Sequence, residues 1–350
     1  MTVRLLIVSL QLLAACAPEL RLGELPGSGA GGSSSAEGGG GGAGPRTAGA
    51  SGSGAGGGTS VSGAGAGGGG EGGSGAGGGG EGGSGAGGAG GSDCTRDASC
   101  LTDDGLVARY FLDEARAGSA PTQVEDAAEA PMPLALTYGP EMSFAADGAA
   151  HSGLSWTAVA ADSRASAAID GTKIHAALHG STTGTIEAVL SIAEVVLDGS
   201  RIVHIGSGTE SGRFTLRSEH PGQIELWWNG TNCGGAWDAA LPERAVVHGV
   251  LDTTVQAPAA DRVRLYINGA LAPRSDPIVG YCAMHKRVPP LDAALDLAEG
   301  RHLVLGNREL GGRSYSGAMY YAALYAKALT AAEIEQNAVA LHVSDDSAGR

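Results

Sequence analysis

The stretch Arg262-Val-Arg-Leu-Tyr-Ile-Asn-Gly-Ala-Leu-Ala272 decides the fold class. Val263, Leu265 and Ile267 fall on one side of an extended chain, and Arg262, Arg264 and Tyr266 on the other. A period of two marks a strand with one buried face. Asn268-Gly269 supplies two residues that tolerate positive φ, as a tight hairpin turn requires, and Ala270 to Ala272 returns. The same alternation recurs outward from this hairpin. Thr185–Ile192, Arg201–Ile205, Arg213–Arg217, Gln223–Trp228 and Met319–Ala326 read as strands, with turn residues such as His220-Pro221-Gly222 between them. One helix is expected, near the end. Thr330-Ala-Ala-Glu333 has capping-box spacing, and Ile334 and Leu341 share the apolar side of a helix running to about residue 341. Many short strands plus one terminal helix predict an all-β fold, a two-sheet antiparallel jelly-roll sandwich.

The sandwich does not extend to the amino end. No aromatic residue precedes Tyr110 and no histidine precedes His151. From Pro26 to Ser92 the chain is mostly Gly, with Ala, Ser and scattered Glu or Arg, and the unit Gly-Gly-Ser-Gly-Ala-Gly at 72–77 recurs at 82–87. Such a stretch has almost nothing apolar to bury against roughly 1–2 kcal/mol of backbone entropy per residue. It predicts a disordered tether with a root-mean-square span of about 50 Å. Gly63, Gly65 and Gly68 match a dinucleotide fingerprint in spacing only, because no strand precedes them and no helix follows.

Before the tether, Arg4 is followed by an apolar run, Leu5–Leu13, and then Ala14-Ala15-Cys16. This is a signal-peptide layout, too short to span a bilayer. Residues 1–15 are therefore expected to be a signal peptide, 16–92 the tether, 93–343 the folded domain and 344–350 a polar tail. The formal net charge of −15 argues against a nucleic-acid partner. Four further cysteines, Cys94, Cys100, Cys233 and Cys282, form an even set that reads as two disulfides in an exported chain. Three pairings are possible. The favoured one is Cys94–Cys100 with Cys233–Cys282, the latter closing about 49 residues for roughly 4 kcal/mol.

Two resemblances sharpen this reading. Leu13-Ala-Ala-Cys16 resembles the lipobox of bacterial lipoproteins, which implies acylation of Cys16, attachment to the lipid bilayer, and a place in the bacterial cell envelope, at the outer membrane. In the globule, Leu106–Asp113, Thr185–Ile192, Arg262–Gly269, Leu303–Asn307, Tyr315–Gly317, Tyr321–Tyr325 and Ala328–Ile334 resemble, in order, the strand and tail motifs of laminin-G-like, concanavalin A-like jelly rolls. That family implies glycan or protein binding, with sugar hydrolysis in some members and calcium in many. Two departures stand out: Tyr321-Ala322-Ala323 replaces an acidic pair, and the loop from about Arg274 to Leu297 is long.

Hydrolysis needs two carboxylates across one bond, about 5–9.5 Å apart. The Glu-x-Asp-x-x-Glu strand pattern of jelly-roll glucanases is missing. Glu187 and Glu194 are too widely spaced for it, Glu225 has no acidic partner at strand spacing, and Asp292, Asp296 and Glu299 lie in a Pro/Ala-rich loop. No catalysis is expected. For calcium, Asp198, Asp252 and Asn307 are candidate ligands, without a recognisable loop spacing. His175 and His179 are four apart, but the resemblance makes this stretch extended, which would put their rings about 13 Å apart. The candidate ligand site is the cluster Trp227, Trp228, Asn229, Asn232 and Trp237 around Cys233. Trp227 and Trp228 must face opposite ways. One is core, and the other, with Trp237 and the asparagines, is expected to form a sugar-stacking shelf. The expected function is thus a tethered, non-catalytic domain that binds a glycan, with a protein-binding adhesive module or a glycoside hydrolase as alternatives.

Overall fold

The computed structural model describes residues 98–115, 120–146, 151–197, 199–220, 222–241 and 243–347. Cys16, the glycine-rich segment, Cys94, Asp198 and Pro221 lie outside them. The first part of the domain contributes β1 (Leu106–Tyr110), β2 (Gln123–Val124), β3 (Leu134–Thr137), β4 (Met142–Ala146), β5 (Ser152–Trp156) and β6 (Arg164–Ala168), then a short helix α1 (Lys173–Leu178). The middle is a run of strands: β7 (Thr183–Glu194), β8 (Ser200–Gly206), β9 (Phe214–Ser218), β10 (Gln223–Trp228), β11 (Asn232–Asp238), β12 (Ala245–Asp252), β13 (Val263–Ile267) and β14 (Ala270–Leu271). Helix α2 (Gly280–His285), β15 (His302–Leu305), β16 (Ser316–Tyr325) and helix α3 (Ala331–Val343) complete the chain.

The strands form two antiparallel eight-stranded sheets. The first runs β14-β13-β12-β7-β16-β5-β4, and β1 joins the far half of β16 beyond β5. The second runs β11-β10-β9-β8-β15-β6-β3-β2. Alternate residues of each, among them Ile186, Leu190, Leu265, Ile205, Leu216, Leu226 and Leu305, meet in one inter-sheet core. Each such aliphatic side chain contributes about 1.5–3 kcal/mol when fully buried. The hairpin that decided the fold class forms as expected, with φ of 52° at Asn268 and 83° at Gly269. Asn268 Oδ1 also accepts the amide of Val246 at 2.9 Å, so the turn is tied to β12.

Helix α3 starts at the expected capping box: Thr330 Oγ1 accepts the Glu333 amide at 3.3 Å, and the Thr330 amide donates to Glu333 Oε2 at 2.8 Å. Its Ile334, Ala338 and Leu341 cover Val189, Val246, Val250, Tyr321 and Tyr325 on the outer side of the first sheet. Beneath the helix lies Glu187 of β7, fully buried. Its Oε1 accepts from His248 Nε2 at 2.7 Å and Asn337 Nδ2 at 2.9 Å. Its Oε2 accepts from Tyr321 at 3.0 Å and Tyr325 at 2.9 Å. Burial alone would raise this carboxyl, but the His248 charge and the donated hydrogen bonds outweigh it and hold Glu187 below the ordinary range. Where the resembled family has an acidic pair, this chain uses Tyr321 as a donor to Glu187.

One expectation is corrected here. Residues 173–178 form α1 rather than extended chain, so the His175 and His179 rings stack with centroids 4.9 Å apart. Residues 344–347 of the polar tail pack against the globule. Asp345 is fully buried with its Oδ2 2.9 Å from Arg244 Nη1, and Ser347 Oγ donates to Asp113 Oδ2 at 2.6 Å. Among the described residues, no helix is long and apolar enough to cross a membrane.

Candidate functional site

The tryptophan cluster does not form a shelf. Trp228 and Trp237 face the inter-sheet core at 6% and 1% exposure, with Trp228 Nε1 donating to the Arg287 carbonyl at 2.9 Å. Trp227 does face the other way, as its neighbour's inward direction requires, yet it too is fully buried. The cause is α2, which folds out of the long 274–297 loop and lies over β10 and β11. A Cys233–Cys282 disulfide fixes it there, with a sequence separation of 49. Tyr281 then stacks on Trp227 with ring centroids 5.5 Å apart. Asn229 Nδ2 donates to the Ala294 carbonyl and its Oδ1 accepts the Asp296 amide, while Asn232 Nδ2 donates to the Asn229 carbonyl. Asn229 is thus committed to holding the loop, and Asn232 to closing the turn between β10 and β11.

Of the calcium candidates, Asp198 lies outside the described residues, and the other two are engaged by their own neighbours. Asn307 is fully buried; its Nδ2 donates to the carbonyls of Ala161 and Ser163, and its Oδ1 accepts the amides of Arg308 and Arg313. Asp252 Oδ1 accepts from Thr254, and its Oδ2 lies 3.8 Å from Arg264. Glu225, Cys233 and Cys282 also come together, but both sulfurs are spent in the disulfide.

What α2 leaves open is a cleft of about 410 Å³ on the outer face of the second sheet. Its floor is strand: Arg201 of β8, Arg217 of β9, and Glu219 just beyond β9. One wall is Gly280, Tyr281 and Met284 of α2, the last strongly exposed. The β8–β9 loop supplies Thr209 and Ser211, and the β15–β16 loop supplies Arg308 and Arg313. Strand alternation explains the floor. Phe214 and Leu216 point into the core, so Thr215 and Arg217 point out. On β8 the register shifts between Arg201 and Val203, with Ile202, Val203 and Ile205 all inward. This bulge turns Arg201 and His204 to the same outer face although they are three residues apart. A smaller recess of about 210 Å³ beside Ile192, Val195, Ile224 and Leu241 is mostly apolar, with Glu194 and Ser218 as its polar side chains.

Arg217 brings two carboxylates together. Arg217 Nε donates to Glu225 Oε2 at 2.6 Å, and Arg217 Nη2 to Glu219 Oε2 at 3.3 Å. The Arg217 guanidinium in turn lies over the Trp227 ring at 3.9 Å. Glu225 is fully buried, its Oε2 also accepting Trp227 Nε1 at 2.7 Å, and it does not line the cleft. Glu219 does line it, but its Oε2 accepts the Tyr281 amide at 2.8 Å. Burial pushes the Glu219 carboxyl up, against the pull of that amide. This close approach needs glycine at 280, since a Cβ there would fall 2.8 Å from the Glu219 carboxyl carbon. The geometry is that of an arginine clamped by two acids, not of two acids flanking an open bond.

Sequence reasoning missed Arg201, Arg217, Tyr281, Arg308 and Arg313. The available signal was the arginine on the polar side of two successive strands, Arg201–Ile205 and Arg213–Arg217.

The match to a family model agrees with the fold. Residues 166–335 match the family model described as the concanavalin A-like lectin/glucanases superfamily. Among solved structures, the chain is similar to Trypanosoma rangeli sialidase in complex with the inhibitor DANA, at 12% identity and a TM-score of 0.47 over 71% of this chain and 34% of that one. It is also similar to the binding domain of botulinum neurotoxin serotype G, at 9% identity and a TM-score of 0.41 over 67% of this chain and 50% of that one. The chain therefore spans about a third of the sialidase and half of the toxin domain. No curated protein sequence matches it.

Proposed function

We propose that this chain, whose residues 166–335 match the model of the concanavalin A-like lectin/glucanases superfamily, is a cell-envelope lipoprotein whose sandwich is a non-catalytic carbohydrate-binding module. The observation that carries the binding part is the cleft on the second sheet. Its convergent polar side chains and the flanking Tyr281 suit a sugar, which offers hydroxyls to one wall and an apolar ring face to the other. The commitment of Glu219 and Glu225 to Arg217 supports binding over hydrolysis, because neither is left to move a proton at a scissile bond. The Leu13–Cys16 context supports a lipid anchor, and the glycine-rich composition supports display at a distance from it.

A glycan array probed with the chain tests the binding reading. Binding to a defined set of saccharides, weakened about tenfold or more by Tyr281→Ala, is the expected result; an array on which nothing is retained refutes it. Mass spectrometry of the native protein tests the anchor, with fatty acyl chains expected on Cys16.

A further inference from the structure

The floor of the cleft carries more positive charge than the protein needs for its own structure. Arg201 and Arg217 stand directly opposite each other on β8 and β9, and Arg217 stands opposite Glu225 on β10. Like charges in directly paired strand positions are destabilising. They are also close: a Cβ on Gly199 would lie 3.0 Å from Nη1 of Arg201 and 3.0 Å from Nη1 of Arg217, so those two nitrogens sit within twice that distance of each other. Both carboxylates at hand, Glu219 and Glu225, pair with Arg217, although Glu225 Oε1 has no hydrogen-bond partner.

Arg201 receives neither. It is 3% exposed, its Nη1 donates to the Gly199 carbonyl at 2.7 Å, and its Nε has no hydrogen-bond partner. Burial, then the charges of Arg217 and Arg313, push its pKa well down; Glu225 opposes this and Arg308 adds to it. In the loop bearing Arg308 and Arg313, one atom, Asn307 Oδ1, accepts both their amides, and Arg308 Nε donates to the Gly311 carbonyl. A buried guanidinium with an idle N–H, crowded by three others at the bottom of an accessible cleft, is costly unless something negative completes it.

We propose that the cleft is an oxyanion subsite anchored by Arg201, and that the saccharide it takes carries a carboxylate or a sulfate ester. The proposal rests on the carbohydrate reading above for the sugar, and on the arginines alone for the charge. Planar forked donors on Arg201 suit two oxygens of one such group, and Arg308 and Arg313 close over it. The Tyr281 side of the cleft takes the ring that bears it.

Calorimetric titration of the full chain with glucuronic acid, glucose 6-sulfate, glucose and inorganic sulfate separates the possibilities. Both charged sugars are expected to bind at least tenfold more tightly than glucose. Arg201→Met should remove that preference while raising the melting temperature, because it relieves a crowded charge; a merely structural arginine would lower the temperature when lost. Arg313→Met, at a half-buried loop position, should weaken the charged sugars several-fold and serves if the Arg201 variant folds poorly. Preference for one charged sugar identifies the source of the oxyanion. Binding of inorganic sulfate that depends on Arg201, with no sugar bound, upholds the anion subsite and sinks the carbohydrate reading. Equal binding of glucose and glucuronic acid, unchanged in both variants, overturns the subsite and leaves the carbohydrate reading standing. Absence of binding by sulfate and by both charged sugars overturns the subsite.

Discussion

Glu187 on β7 and Arg201 on β8 sit on opposite outer faces of the sandwich, and both are almost wholly removed from solvent. Helix α3 covers the first, and four donors from β12, β16 and α3 satisfy both of its oxygens. Helix α2 stops short of the second, which keeps one backbone acceptor, an idle nitrogen and three arginine neighbours. An ion saturated by its own chain is a joint between elements. One left short of partners, beside an opening, is a place for a partner from outside. The same fold thus makes a structural charge and a binding charge by extending a helix over one face and a shorter one over part of the other.

The largest expected effect tests the joint. Glu187→Ala should cost about 3–5 kcal/mol in denaturant unfolding, since it strands two tyrosine hydroxyls and the His248 and Asn337 donors. A loss below about 1 kcal/mol would remove the contrast between the faces. Next comes the device that sets how far α2 reaches. Cys282→Ser should cost about 2–4 kcal/mol, and acrylamide quenching of tryptophan fluorescence should rise as Tyr281 leaves Trp227; an unchanged quenching constant would mean that the disulfide does not hold the cleft wall.

The positive face should also show in acid. Burial, then Arg201, Arg308 and Arg217, hold the His204 pKa well below its ordinary 6.5. A depressed folded value means that its contribution is complete above about pH 6.5 and is lost as pH falls, because only the unfolded chain takes up the proton. The expected slope is about 1.4 kcal/mol per pH unit per proton. His342, lowered by burial and Arg244, acts in the same direction. His204→Gln isolates this group: it should flatten the pH dependence by one proton, and an unaltered profile would show that the fold does not hold His204 neutral. The smallest effect is the sharpest in sign. Arg201→Met should gain about 1 kcal/mol where Glu187→Ala loses several.

The sandwich was legible because its signals are local. Val263, Leu265 and Ile267 alternate within five residues, Asn268-Gly269 can hardly be anything but a turn, and Thr330 and Glu333, three apart, form the cap of one helix. The even cysteine count pointed to disulfides, and Cys233–Cys282, from the favoured one of three pairings, forms. The site was not legible, because no local pattern contains it. Arg201 meets Arg217 through strand register and a bulge, and both meet Arg308 and Arg313 only because β15 is the next strand in the sheet. The tryptophans misled for a related reason. Gly280–His285 is one and a half turns of helix with no periodicity to read, so the cover over Trp227 was invisible in the sequence. Aromatic clustering announced a hydrophobic patch, and only the path of the 274–297 loop decides whether such a patch meets water.

One small contact has a kinetic consequence. Because Asn307 Oδ1 grips the amides of Arg308 and Arg313 together, the shape of their loop is set before any visitor arrives. Capture should then be a single-step encounter, its rate governed by ionic strength rather than by a conformational delay.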